Sequence, residues 1–112
     1  MLSGVIIHKM KYQIQYKKEK MKGGFIGMNK QSAIAKYIPF KHPEHTIEVF
    51  KKLPKKVRVH TIRHEECEEY LTRNLHYKYP FAHSLALKFE KVGKPFPKRD
   101  IKRKLIKWGI LR

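Results

Sequence analysis

The segment His64-Glu65-Glu66-Cys67-Glu68-Glu69 holds four of the nine acidic residues of a chain that otherwise carries 27 Lys and Arg. Such a concentration of acid on a basic chain asks for a physical cause. Read as a helix, the segment sets His60, His64 and Glu68 at successive i, i+4 positions, so that two imidazoles and a carboxylate face one spot. Those are zinc-ligand types at ligand spacing. Cys67 lies beside Glu68 and offers a softer ligand in its place. A further ligand is expected from the next helical segment, where His83 and Glu90 share a face. The plainer alternative is that Glu65, Glu66, Glu68 and Glu69 pair with Arg63, Arg73 and lysines on a solvated helix, with His64 against Val57 and Leu71. His60 is the weaker ligand candidate, because a surface role is more common at such a position.

The second pattern is cationic. Lys98, Arg99, Lys102, Arg103, Lys104 and Lys107 surround a single acid, Asp100, near the end of the chain. On a helix fixed to the body by Ile101 and Trp108 they form a surface suited to a phosphate backbone. The alternative is a helix whose charge only keeps the protein soluble. Lys51, Lys52, Lys55, Lys56 and Arg58 gather where a helix is expected to start, and free amides and the dipole already favour anions there. Lysines oppose that dipole, so they are expected to serve binding rather than helix stability. Tyr12, Tyr16 and Phe25 can stack on bases, but they share a face with Ile14, which favours core packing. No paired Cys/His finger or aromatic RNA-recognition signature is present, so readout of backbone or shape is expected.

The elements that must position these groups follow from periodicity. Residues 11–17 alternate, with Tyr12, Ile14 and Tyr16 on one face, and read as a half-buried strand. Gly23-Gly24 and the apolar piece 25–28 suggest a hairpin with a short return strand. Residues 32–40 lack a clean period and leave strand and short helix open, until His42-Pro43 ends the element. Residues 46–50 read as another strand. Pro54 is placed to open a long helix over roughly 55–74, along which Val57, His60, His64, Glu68 and Leu71 recur at three- and four-residue steps. Pro80 opens a second helix to about Lys91, with Ala82, Leu85 and Phe89 on its apolar stripe, and the two are expected to form a hairpin. Gly93, Pro95 and Pro97 make a stiff loop before a basic third helix that Gly109 stops. The order predicts an α+β fold: a β-rich front of three or four strands, then three helices.

A chain of 112 residues suits one domain, 1–112. The charge of +18 spreads over both halves, which predicts a basic body rather than a basic tail and nucleic acid, DNA or RNA, as partner. One cysteine allows no internal disulfide and predicts a reducing, cytoplasmic setting. The run Val5–Ile7 falls far short of a signal core or a transmembrane segment. Lysine enrichment with five Asn and Gln in all fits either a hot environment or an AT-rich genome.

His-Glu-x-x-Glu followed by Tyr79-Pro-Phe-Ala-His83 resembles small zincin-like segments of phage and plasmid proteins. The resemblance implies His64, Glu68 and His83 as zinc ligands and Glu65 as catalytic general base on the metal's water. The sequence departs from the metallopeptidase pattern in carrying Glu68 where a second histidine stands, which puts peptidase activity in doubt. A His and carboxylate centre on a basic protein suits phosphodiester hydrolysis equally. The leading expectation is therefore a small nucleic-acid-associated protein without strong sequence preference, for which catalysis is not required. The rival is a metal-dependent hydrolase built on His64, Glu65, Glu68 and His83. A structural or oligomer-forming protein is the third reading, and it predicts no salt-sensitive binding.

Overall fold

The computed structural model describes residues 12–91 and 98–111, without the side chains of residues 90, 91 and 98–100. Lys11, the Val5–Ile7 run and the Gly93, Pro95, Pro97 loop lie outside the described residues, as do the side chains of Glu90, Lys98, Arg99 and Asp100. The elements run β1 (Gln13–Lys17), β2 (Gly27–Met28), α1 (Lys30–Ala35), β3 (Thr46–Phe50), α2 (Lys55–Glu69), α3 (Tyr79–Lys91) and α4 (Lys98–Lys107). This is an α+β protein, with a small sheet in its N-terminal half followed by helices.

The sheet has the order β1-β3-β2, and this corrects the expected hairpin. β3 lies in the middle, parallel to β1 with Gln13 opposite Thr46 and Lys17 opposite Phe50, and antiparallel to β2 with Gly27 opposite Val49. Gly23 and Gly24 do make a tight turn, at φ +88° and +82°, but it closes only the Met21 to Phe25 bridge. β1 finds five partners along β3, whereas β2 has only two residues to pair. The longer ladder decides the order. Central placement also explains why Thr46, Ile47, Glu48 and Val49 are all buried, as a strand covered on both faces must be. β1 is left at the edge, and Tyr16 is 52% exposed with the Arg58 guanidinium 5.9 Å from its ring centre. The expectation that Tyr16 turns into the core is corrected for that reason.

Of the undecided stretch 32–40, residues up to Ala35 belong to the short helix α1, which Asn29 starts with a capping box, and the rest is a turn and irregular chain. The Asn29 side chain accepts from the Ser32 amide at 2.9 Å, and the Ser32 hydroxyl receives the Asn29 amide at 3.0 Å. Tyr37 then takes φ +56° and lets Ile38 N bond Ala33 O at 2.9 Å, which closes the helix.

α2 begins one residue after Pro54, which acts as its N-cap rather than its first helical residue. At Glu69 the helix widens into a single π-helical turn, Tyr70–Asn74, closed by Leu75 N to Tyr70 O at 3.3 Å. The combined span matches the long helix expected from the periodicity. The main core lies between α2, α3 and α4, where Cys67, Leu71, Ala82, Leu85, Ala86, Phe89, Ile101 and Leu105 are buried. Each fully buried Leu or Ile contributes about 1.5–3 kcal/mol by leaving water. A smaller cluster of Met21, Met28 and Ala33 seats α1 near the sheet. No helix among the described residues is long and apolar enough to cross a membrane.

Candidate metal centre

α2 and α3 pack against each other, and the contact that buries Cys67 and Leu71 also brings His64 and His83 face to edge, with ring centres 5.3 Å apart. Glu68, one turn beyond His64, lies between them and is 1% exposed. Its Oε2 accepts from His64 Nε2 at 2.9 Å and from His83 Nδ1 in a shorter contact. The Tyr79 hydroxyl donates to the same oxygen at 3.4 Å. Two imidazole nitrogens and one carboxylate oxygen thus lie within 4.8 Å of one another, the one such group among the described residues. Tetrahedral zinc with bonds of about 2.0–2.3 Å sets its ligand atoms roughly 3.3 Å apart. The donor set is one that zinc takes, and the three atoms lie close enough to gather round one ion.

Glu65 stands beside this group, buried and turned toward the same space. β2 comes unusually close here: a Cβ on Gly27 would meet Thr61 Cγ2 at 2.5 Å and Glu65 Cγ at 3.1 Å. The glycine is what lets α2 seat its acidic turn against the sheet edge. Asn29, at the junction of β2 and α1 and fully buried, donates from its side-chain nitrogen to Glu65 Oε1 at 2.8 Å and to Glu68 Oε1 at 3.1 Å. Burial, with the Glu68 charge next to it, pushes the Glu65 carboxyl up to about 8. Burial works the same way on Glu68, but the hydrogen bonds and charges of His64 and His83 outweigh it and hold that carboxyl below the usual range. Tyr79 is pushed up by burial and by the two carboxylates.

These groups form the floor of a cavity of about 1050 Å³, with His64, Glu65, Glu68, Tyr79 and His83 in its lining. Its walls are mainly apolar, including Phe25, Val57, Pro80 and Leu87, with Lys36, Lys56, His60 and Thr61 among the cationic or neutral polar groups. Lys36 donates to the Tyr79 hydroxyl at 2.9 Å and lies 4.8 Å from the Phe25 ring centre. A small molecule that fits this space would meet the three candidate ligands, one buried carboxyl and a lysine-supported phenol.

The sequence-based candidates divide clearly. His64, Glu65, Glu68 and His83 come together. His60 lines the cavity one turn away but is not in the ligand group, and Cys67 is turned into the α2–α3 core, so neither alternative ligand is placed for the role. The solvated acidic helix is corrected, since Glu65, Glu68 and Glu69 are buried. The expected pairing is seen at Arg73, whose Nη1 lies 3.5 Å from Glu69 Oε1 and which also binds Glu44 at 2.7 Å. Phe25 lines the cavity rather than the core. Asn29 and Lys36 were not singled out in the sequence, although Asn29-x-x-Ser32 carries the capping-box signal that marks the start of α1.

The cationic candidates are dispersed. Lys51, Lys52 and Lys55 are exposed around the start of α2, and Lys56 turns to the cavity. On α4, Ile101 and Leu105 are buried while Lys102, Arg103 and Lys107 are exposed and Lys104 is half-buried. Trp108 packs on Phe89 with ring centres 4.9 Å apart, and the Lys88 ammonium sits 4.3 Å above the indole. No protein-family model, no curated protein and no solved structure matches the chain.

Proposed function

We propose that this protein is a metal-dependent hydrolase in which His64, Glu68 and His83 hold one zinc ion and Glu65 is the general base. The observation that carries this reading is the convergence of His64 Nε2, His83 Nδ1 and Glu68 Oε2 on the floor of an open cavity. Two helices have to meet for it to occur, and a buried Glu between two imidazoles is costly to desolvate unless something positive shares the site. Held by these three groups, zinc would supply Lewis acidity and an acidified water. With a cation in the site to draw off the proton that its raised carboxyl holds, Glu65 would take the proton of the attacking water and pass it to the leaving group. The Tyr79 hydroxyl accepts from Lys36 and stands beside Glu68 Oε2, from which its proton would have to turn to meet the charge developing on a substrate.

Elemental analysis of untagged protein, purified without chelator and beside a His64→Ala, His83→Ala double variant, tests the centre. The expected result is stoichiometric zinc in the wild type and none in the variant. Absence of metal after incubation with zinc would overturn the reading. Parallel assays of zinc-loaded protein on unstructured peptide and on oligonucleotide then decide the bond class.

A second reading, association with nucleic acid without catalysis, is favoured by α4, whose apolar side is spent on the core while Lys102, Arg103 and Lys107 face outward. In that reading α4 and the Lys51 to Arg58 cluster lie along phosphates, and affinity falls steeply with salt. The two readings combine if the basic surface recruits a nucleic-acid substrate. Either suits a cytoplasmic protein whose single Cys67 stays reduced, and the lysine bias fits a hot host or an AT-rich phage or plasmid genome.

A further inference from the structure

The orientation of Asn29 is settled by its neighbours. Its Oδ1 accepts the Ser32 amide at 2.9 Å, so the side-chain nitrogen must point the other way, toward the acidic turn of α2. A flipped amide would set its nitrogen against the Ser32 N–H and its oxygen against two carboxyl groups. The nitrogen has two hydrogens, and its two shortest side-chain contacts are Glu65 Oε1 at 2.8 Å and Glu68 Oε1 at 3.1 Å. The candidate general base and the candidate carboxylate ligand therefore hang from one amide. In each, the held oxygen is Oε1. The other oxygen of Glu68, Oε2, is the one that His64, His83 and Tyr79 all approach.

We infer that Asn29 is the positioning residue of the centre: by occupying Oε1 of both carboxyl groups it makes Glu68 a one-oxygen ligand and leaves Glu65 Oε2 as the atom that receives the water's proton. This rests on the metal reading above and deepens it. A carboxylate free to turn can grip a metal with both oxygens and close the coordination position that a water needs. An amide fixed at its other end by a helix cap prevents that rotation. The arrangement favours a four-coordinate ion such as zinc or cobalt(II) over larger ions that take both carboxylate oxygens. It also ties the site to the fold, since the same side chain starts α1 and aligns α2.

Cobalt(II) titration of the full chain, read by visible absorption and by competition with a chelator, tests this with three variants. Asn29→Ser and Asn29→Asp keep an N-cap side chain but remove the amide donor, and Ser32→Ala weakens the cap while keeping the amide. The wild type should show the intense visible band of four-coordinate cobalt. Asn29→Ser should weaken and shift that band as Glu68 becomes bidentate, with affinity lower by roughly 10- to 100-fold, and Asn29→Asp should lose more through like charge. Ser32→Ala should keep the wild-type band and affinity. The inference is overturned if Asn29→Ser matches the wild type, or if Ser32→Ala changes the spectrum as much as Asn29→Ser does. If the Asn29 variants lose their far-UV circular dichroism, the wild type alone decides by NMR. The Asn29 side-chain amide should stay protected from hydrogen exchange in the zinc-loaded protein, and rapid exchange would overturn the inference. A wild type that binds no cobalt overturns the metal reading and this inference with it, which separates the two failures.

Discussion

At the scale of the residue, the site turns on how few groups are asked to satisfy a buried pair of carboxyls. Glu65 and Glu68 share Asn29 on one side, and Glu68 meets two imidazoles on the other. Replacing Glu65 with Gln keeps the shape and can still accept from Asn29, but it cannot take a proton. Glu65→Gln should therefore retain zinc at the wild-type level by elemental analysis and lose about 10²- to 10⁴-fold in turnover of whichever substrate is cleaved. Loss of zinc together with activity would show that Glu65 holds the metal or the fold instead. Gly27 is the opposite kind of residue, needed for what it lacks. Gly27→Ala drives a methyl into Thr61, whose β-branched side chain has little freedom and whose hydroxyl is bonded to Val57 O at 2.8 Å. Thermal melts should show a loss of about 1–3 kcal/mol.

At the scale of the element, α2 and the π-helical turn that continues it carry both the candidate site and part of the core, on different sides. His64, Glu65 and Glu68 face the cavity, while Cys67 and Leu71 face α3 and α4. The π-helical turn at Tyr70–Asn74 falls where the helix leaves the site, and Thr72 returns a hydrogen bond to Glu68 O at 2.9 Å. Because Leu71 is fully buried one turn past Glu68, Leu71→Ala should cost about 2–5 kcal/mol in urea unfolding. Metal affinity should fall with it, since the same contact brings His83 to His64. Unchanged zinc affinity in a destabilised Leu71→Ala protein would show that the ligands are held by the site itself.

At the scale of the whole molecule, +18 charges on 112 residues repel one another, and Glu48, Glu65, Glu68 and Glu69, four of the nine acids, are buried away from the surface where they would offset that charge. A polyanion relieves that repulsion. Changing Lys102, Arg103 and Lys107 together to Gln should leave zinc content alone and flatten the dependence of nucleic-acid affinity on salt, measured by gel shift across a salt series, by up to about three phosphate contacts. An unchanged slope would move the contact to the Lys51 to Arg58 cluster, and negligible binding of mixed DNA and RNA at low salt would end the nucleic-acid reading.

Much of this was legible in the residues. Helical spacing puts His64 and Glu68 on one face, and the three- and four-residue steps from Val57 to Leu71 mark the long helix, because both depend only on the local 3.6-residue period. The α+β order followed from the same local patterns. The strand order did not, since Gly23-Gly24 signals a turn but not which strand lies beyond it, and β3 wins its central place through a ladder formed across distant sequence. Burial of Glu65, Glu68 and Glu69 could not be read either, because an acidic helix looks the same in sequence whether its acids meet water or meet His83 and Asn29. Those partners lie 15 and 39 positions from Glu68, and only the approach of α3 and of the β2–α1 junction brings them to it. Which chemical groups α2 carries, and at what spacing, follows from local sequence alone; which of them converge follows from packing, because helices and strands far apart in the chain must meet to bring them together.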